Sequence, residues 1–301
     1  GGALQISGAQ SVTIQDCAFA RNLSAAGLFN DSSGGAIDLV AASVSIVRCA
    51  FTDNTAEGTL CGGSGGAVMV GGDAVTFTDC EFRGNSAADG GAVLAVGTTT
   101  FDGCRFIGNT ASAGGGFCGI PAVSSVLHLA FGGEVRDCVF LNNTGPGSAV
   151  AMTGGSVNVV EHSTIAWNGV SSASAQPAVD LRGLDASSVD FRQNVVAFNR
   201  GGGIAHAVPA SDDVACNIIW ANNQDFVAGA DWRGQFDNQA SDPLFCSQSE
   251  PGISVAANSP CLAGGSGHAE GCGVIGTVEV GCPSVSVTPT TWSAIKARIH
   301  G

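Results

Sequence analysis

Apolar residues recur along the chain in short alternating runs, and each run is punctuated by a cysteine register and then an asparagine. Three residues before that register stand Ile14, Ile46, Phe77, Phe101, Val135, Val160, Phe191 and Val214. Two residues after it stand Phe19, Phe51, Phe82, Phe106, Phe140, Ile165, Val196 and Ile219. Alternation with one apolar face predicts half-buried strands. The full phrase is Cys17/Phe19/Asn22, Cys49/Phe51/Asn54, Cys80/Phe82/Asn85, Cys104/Phe106/Asn109 and Cys138/Phe140/Asn143. It continues in altered form at Ser163/Ile165/Asn168, Asn194/Val196/Asn199 and Asn217/Ile219/Asn222. A second strand signal lies between these phrases, at Gly1-Gly2-Ala3-Leu4, Gly34-Gly35-Ala36-Ile37, Gly65-Gly66-Ala67-Val68 and Gly90-Gly91-Ala92-Val93. Self-similarity at 23 to 34 residues marks a solenoid of stacked coils.

Stacking such coils in parallel places equivalent side chains about 4.8 Å apart. The interior then holds a Phe ladder, an aliphatic/Phe ladder and a Cys ladder. An Asn ladder closes each coil at a corner, since Asn tolerates left-handed backbone and bonds turn amides. No stretch within the solenoid has a capped helical period. The connection from Asn to Gly-Gly is long at Leu23–Ser33 and Thr55–Ser64 and short at Ser86–Asp89. Insertions of this kind map to one face of a solenoid, where binding develops.

The pattern predicts coils over 1–222, terminal coils and a disulfide-containing cap over 223–282, and a strand-plus-helix tail over 283–301. Short loops favour the pairs Cys246–Cys261 and Cys272–Cys282, and loop position suggests Cys61–Cys118. In the tail, Trp292, Ile295 and Ile299 share one helical face. The chain opens within a coil motif, so a leader, or more, is expected to lie upstream or to have been removed.

Composition narrows the function. Net charge is −14, with 11 basic against 25 acidic residues. That lacks the basic footprint of a nucleic-acid binder, and no apolar window is long enough for a transmembrane helix. Cysteines outside the ladder, with an acidic surface, suggest an extracellular or cell-surface setting. The single thiols of the ladder do not have paired metal-ligand spacing and read as buried free thiols. No cofactor is implied. The calcium-solenoid repeat is absent, so calcium in the acidic turns would be adventitious.

The Phe-x-x-Asn and Gly-Gly-Ala-Ile phrases resemble the repeats of bacterial right-handed parallel β-helix proteins, and a similar pair occurs in the polymorphic outer-membrane proteins of chlamydiae. Asp242-Pro243-Leu244-Phe245 and Ser259-Pro260-Cys261-Leu262 look like the terminal coils of secreted members. The resemblance implies an all-β solenoid over about 1–282 and leaves function open, because the fold hosts lyases, hydrolases, adhesins and structural proteins. A pectate-lyase-like site would draw on Asp180, Arg182, Asp190, Arg192, Asp212 and Asp213, which form no matched ladder. A glycosidase needs two facing carboxylates, and Asp38, Asp73 and Asp180 single out no pair. Trp167, Trp220 and Trp232 are the only tryptophans outside the tail that offer sugar platforms. The reading that remains is a non-enzymatic structural protein, a surface, adhesin or filament subunit whose main partner is itself. Its assembly contacts would be Gly1, Gly2, Ala3 and Leu4 at an uncapped end and Trp292, Ile295 and Ile299 in the tail. A polysaccharide lyase or hydrolase is the alternative, and a module binding surface glycans through residues 23–33 and 55–64 is a third.

Overall fold

The computed structural model describes residues 1–25, 32–58, 62–112, 125–170, 176–182, 184, 189–207, 211, 213–247 and 253–284. Among them every named strand pairing is parallel, and no residue is helical. The chain winds through three faces per coil. The first face follows a glycine-containing corner, Gly-Gly before Val68–Gly71 and Val93–Ala95 and Gly145-Pro146-Gly147 before Ser148–Met152. The second precedes the Cys register, as in Ala74–Thr78, Thr99–Asp102 and Gly133–Arg136. The third carries the Phe column in an 8-stranded sheet running from Ala18–Ala20 to Ile218–Trp220. Leu4–Gln15 and Ile37–Val47 run through the first corner unbroken and so join faces one and two into one 14-stranded sheet.

The corners follow from backbone stereochemistry. The residue before the Cys register is left-handed at Asp16, Arg48, Asp79, Asp137, His162 and Gln193. The residue before the Asn is left-handed at Arg21, Asp53, Asn142, Trp167, Phe198 and Ala221. A single such residue between two extended segments turns the chain sharply, at a cost of roughly 1–2 kcal/mol for a side chain with Cβ. Gly103 relieves that strain, and a Cβ there would also strike the Asp79 carboxylate at 2.5 Å.

Hydrogen bonds between coils offset the strain. The Oδ1 of Asn54 accepts from the backbone N–H of Asn22 at 3.0 Å and from its Nδ2 at 2.8 Å. Asn54 Nδ2 in turn donates to the Phe19 carbonyl at 3.0 Å. The same three bonds recur at Asn85, Asn109, Asn143, Asn168, Asn199 and Asn222. At the other corner the Cys49, Cys80, Cys104 and Cys138 thiols donate to the carbonyls of Ile14, Ile46, Phe77 and Phe101 in the preceding coil. From Asn194 onward an amide replaces the thiol, and Asn194, Asn217 and Asn238 donate to the carbonyls of Val160, Phe191 and Val214 at 2.7, 2.8 and 2.8 Å. Asn238 thus continues a register that the sequence pattern traced only to Asn217.

Inside, Phe51, Phe82, Phe106 and Phe140 stack face to face with centroids 4.9, 4.8 and 4.6 Å apart. Phe77 and Phe101 form a second stack and meet the first edge-on at 5.8 and 5.7 Å. Burial pushes the Cys104 thiol well up, while Cys80 is raised first by its hydrogen bond with Cys104 and then by burial. The dry-interior expectation fails on the first rung, where Cys17 is exposed. Phe19 and Asn22 there are half-buried. Leu4, Ile6 and Phe19 pack against the core from one side only. Gly1, Gly2 and Ala3 are exposed, with Gly2 and Ala3 hydrogen-bonded to Gly34 and Ala36 of the next coil.

The other end is closed. Fully buried Trp232 lies 3.9 Å from His206 and 5.6 Å from both Phe191 and Phe226, plugging the core. Asp225 takes the asparagine's part, its Oδ1 accepting from the N–H and Nδ2 of Asn222 at 3.0 and 2.9 Å. The expected tail strand at 285–288 and the helix bearing Trp292, Ile295 and Ile299 lie outside the described residues.

Truncating a mid-stack asparagine strands the buried N–H of the coil before it. Asn109→Ala should therefore lower stability by about 1–3 kcal/mol, and Asn22→Ala, on the part-exposed first rung, by less. Chemical denaturation followed by circular dichroism compares the two midpoints.

Candidate functional site

The third face has an outer surface as well as an inner one. Its outward positions turn apolar from Ile107 onward, through Val139, Leu141, Ala166, Val195, Ala197 and Ile218, and all of these are buried. What covers them is the chain's own return. Beyond the Trp232 plug, residues 244–247 and 253–282 double back as a strap along the outside of the third face. Cys261, Cys272 and Ile275 pack on Val195, Ala197 and Ile218, and Ile253, Phe245 and Val278 pack on Ile107, Val139 and Leu141. Gly276 N–H donates to the Gln193 carbonyl at 2.6 Å, and the Thr277 hydroxyl donates to the His162 carbonyl at 2.5 Å.

This reversal overturns the expected disulfides. Among the described residues the bonds are Cys216–Cys272 and Cys246–Cys282, with Cα atoms 5.4 and 5.9 Å apart. Sequence proximity favoured Cys246–Cys261 and Cys272–Cys282, but the returning chain carries Cys272 onto the last coils. Cys282 is placed beside Cys246 by the parallel pairing of Ser254–Ala256 with Glu279–Cys282. Cys261 is a buried free thiol, pushed up to about 12 by burial. Cys61 and Cys118 lie outside the described residues.

The tryptophans proposed as sugar platforms are packing groups. Trp167 stacks on Phe198 at 5.7 Å and meets Phe245 at 4.9 Å. Trp220 belongs to the cluster under the strap, and Trp232 is the plug. Two of the acidic candidates, Asp180 and Asp190, are likewise committed. Asp180 is nearly buried and holds Arg182 at 2.6 Å, while Asp190 holds Arg192 through two oxygens. The hydrogen bonds that both guanidinium groups donate to those carboxylates raise the arginines, which disfavours them as bases at neutral pH. Asp38 lies 3.9 Å from the Gly1 amine, Asp73 and Asp213 are exposed, and Asp212 is outside the described residues.

Two features have the geometry of a site. One is a groove of about 420 Å³ on the loop face, lined by Thr55, Glu57, Gly63, Ser86 and Ser112 among others. It falls beside the 23–33 and 55–64 loops named from sequence. Thr55 and Ser86 occupy adjacent rungs, and the hydroxyl column continues through Thr110 and Thr144, whose Oγ1 atoms are 3.0 Å apart. Among the described residues, Glu57 is the single carboxylate in that lining. Such a surface offers hydrogen bonds to an uncharged, hydroxyl-rich ligand.

The other feature is a buried polar chain across three coils. Asp89 and His128 are both fully buried, with Oδ2 to Nδ1 at 2.7 Å. His128 Nε2 lies 3.1 Å from Thr153 Oγ1. Asp89 Oδ1 is fixed by the Gly90 N–H at 2.8 Å. His128 stands in an outward column whose register neighbours are Leu94 and Ala151. Sequence reasoning passed over it because the three residues are far apart in the chain. The available signal was Asp89 itself, a carboxylate before Gly-Gly where the preceding coils carry Ser33 and Ser64.

A family model for the right-handed β-helix region matches residues 2–180. The chain belongs to the right-handed β-helix family. No curated protein and no solved structure matches it. Family membership in this β-helix carries the fold, and the chemistry must come from the residues. Among the described residues, the one group with metal-ligand proximity is Cys216, Asp237 and Cys272, and its two sulfurs are bonded to each other.

Non-reducing digestion of the β-helix should yield peptides joined as 216–272 and 246–282. Removing the first bond by Cys216→Ser with Cys272→Ser should cost about 2–4 kcal/mol. Cys261, held protonated well above pH 8, should resist alkylation in the folded protein and react after denaturation.

Proposed function

We propose that this β-helix is a non-enzymatic extracellular structural protein, a surface or filament subunit that associates with itself. The observation that carries the reading is the commitment of its polar chemistry to the fold. The corner amides and thiols are spent on coil-to-coil ladders, and the arginines beside Asp180 and Asp190 are spent on ion pairs. Two disulfides, one of them fastening the strap to the body, support an oxidising location. No helix among the described residues is long and apolar enough to cross a membrane.

Self-association has a surface to use. Leu4–Gln15 pairs, among the described residues, only with Ile37–Val47, and Leu4, Ile6 and Phe19 beside it are only partly buried. A strand edge that no other coil covers recruits another strand, and the segment bearing Trp292, Ile295 and Ile299 is the candidate for the second contact that a filament requires. The groove at Thr55, Glu57 and Ser86 favours a second reading, in which the same body binds neutral glycans.

Light scattering across a concentration series should give a mass above the monomer, and Ile6→Asp on the open edge should return it to monomer. Uronate polymers incubated with the protein should give no unsaturated product. A monomer at every concentration that cleaves the polymer contradicts the proposal.

A further inference from the structure

We infer that Thr153 is an activated hydroxyl, an acylation site whose reagent class is the activated carboxylic ester. The inference goes beyond the structural role proposed above and stands on a different part of the molecule. A carboxylate only accepts hydrogen bonds, so Asp89 Oδ2 assigns the ring proton to His128 Nδ1, 2.7 Å away. With its proton held at Nδ1, the ring turns Nε2 toward Thr153 Oγ1 at 3.1 Å, within reach for proton abstraction. The three groups therefore form an orienting carboxylate, a base and a nucleophile in that order. Asp89 and His128 are fully buried, while Thr153, just past the strand Ser148–Met152, is part-buried and is the least enclosed of the three residues.

Packing alone does not call for this arrangement. Register neighbours of His128 are the buried Leu94 and Ala151, and an apolar residue would continue the column. A buried Asp–His pair is costly to desolvate and is seldom better for stability than an apolar replacement. Asp89 is further fixed by the Gly90 N–H at 2.8 Å, and the Ser125 hydroxyl approaches the same oxygen at 3.5 Å.

The step balances within these residues and the ester. Thr153 Oγ loses its proton to His128 Nε2 and forms a bond to the acyl carbon. The bond from that carbon to the leaving oxygen breaks, and the leaving alcohol takes the proton from His128. The product is a threonine ester and a free alcohol.

The test uses p-nitrophenyl acetate on the intact chain, with nitrophenolate release followed by absorbance and the adduct located by peptide mass. The expected result is a burst of one nitrophenolate per chain and one acetyl group on Thr153. Thr153→Val should abolish the adduct with an unchanged melting temperature, Thr153→Ser should retain it, and His128→Gln should slow labelling by about 100-fold or more. If His128→Gln fails to fold, the Val and Ser variants at position 153 decide alone. No adduct on the wild-type protein, or an adduct that Thr153→Val leaves in place, overturns the inference. Steady release after the burst supports the acylation and contradicts the non-enzymatic reading, so the two fail separately.

Discussion

Everything in this molecule rests on the bond pattern of one buried amide per coil. Each corner asparagine accepts two N–H groups from the coil before it and donates to a carbonyl there, as Asn109 does with Asn85 and Phe82. The corner is where a solenoid is weakest, because strand pairing stops and the chain turns through a left-handed residue. A buried N–H left without a partner costs about 1–3 kcal/mol. The side chain supplies that partner and so lets the corner be dry. Dry corners in turn allow Phe51, Phe82, Phe106 and Phe140 to stack without interruption along the third face.

The second corner shows that the constraint is a donor at a position, not a particular residue. Cys49 to Cys138 direct thiols at the carbonyl three residues before the equivalent position in the preceding coil, and Asn194 to Asn238 direct amides at the same carbonyls. A thiol is the weaker donor and the smaller group, and it sits where the interior is widest in phenylalanine. Past Cys138 the stacked column shrinks to Ile165, Val196 and Ile219, and the register passes through Ser163 to the larger amide at Asn194. The thiols stay protonated because burial and their own neighbours oppose the charged form.

Much of this was legible in the chain. Phe, Asn and Cys columns could be read because side chains on a strand alternate with a period of two, and because the corner residue must be polar and left-handed-tolerant. The ends were harder. Trp232 and the strap act through contacts made after a chain reversal, which no local period encodes. The trace was present in Ile107, Val139, Leu141 and Ile218, apolar residues at outward positions that a solvent-facing coil would not carry. The disulfides were misread for the same reason, since loop length favours neighbours in sequence while the strap brings Cys272 to Cys216. The Asp89–His128–Thr153 chain draws one residue from each of three coils, so it becomes visible only once the coils are stacked.

A body stabilised in this way is extended, with its corner amides and thiols consumed internally and its outer third face covered by its own chain from Ile107 onward. That is the physical basis for reading it as a structural element. The most direct test of the central claim is hydrogen exchange at the corners. The backbone N–H groups of Asn85, Asn109 and Asn143 should be among the slowest in the molecule, exchanging only with unfolding of the stack. Exchange at those three positions as fast as in the exposed turn at Gly264–Gly267 would contradict the account.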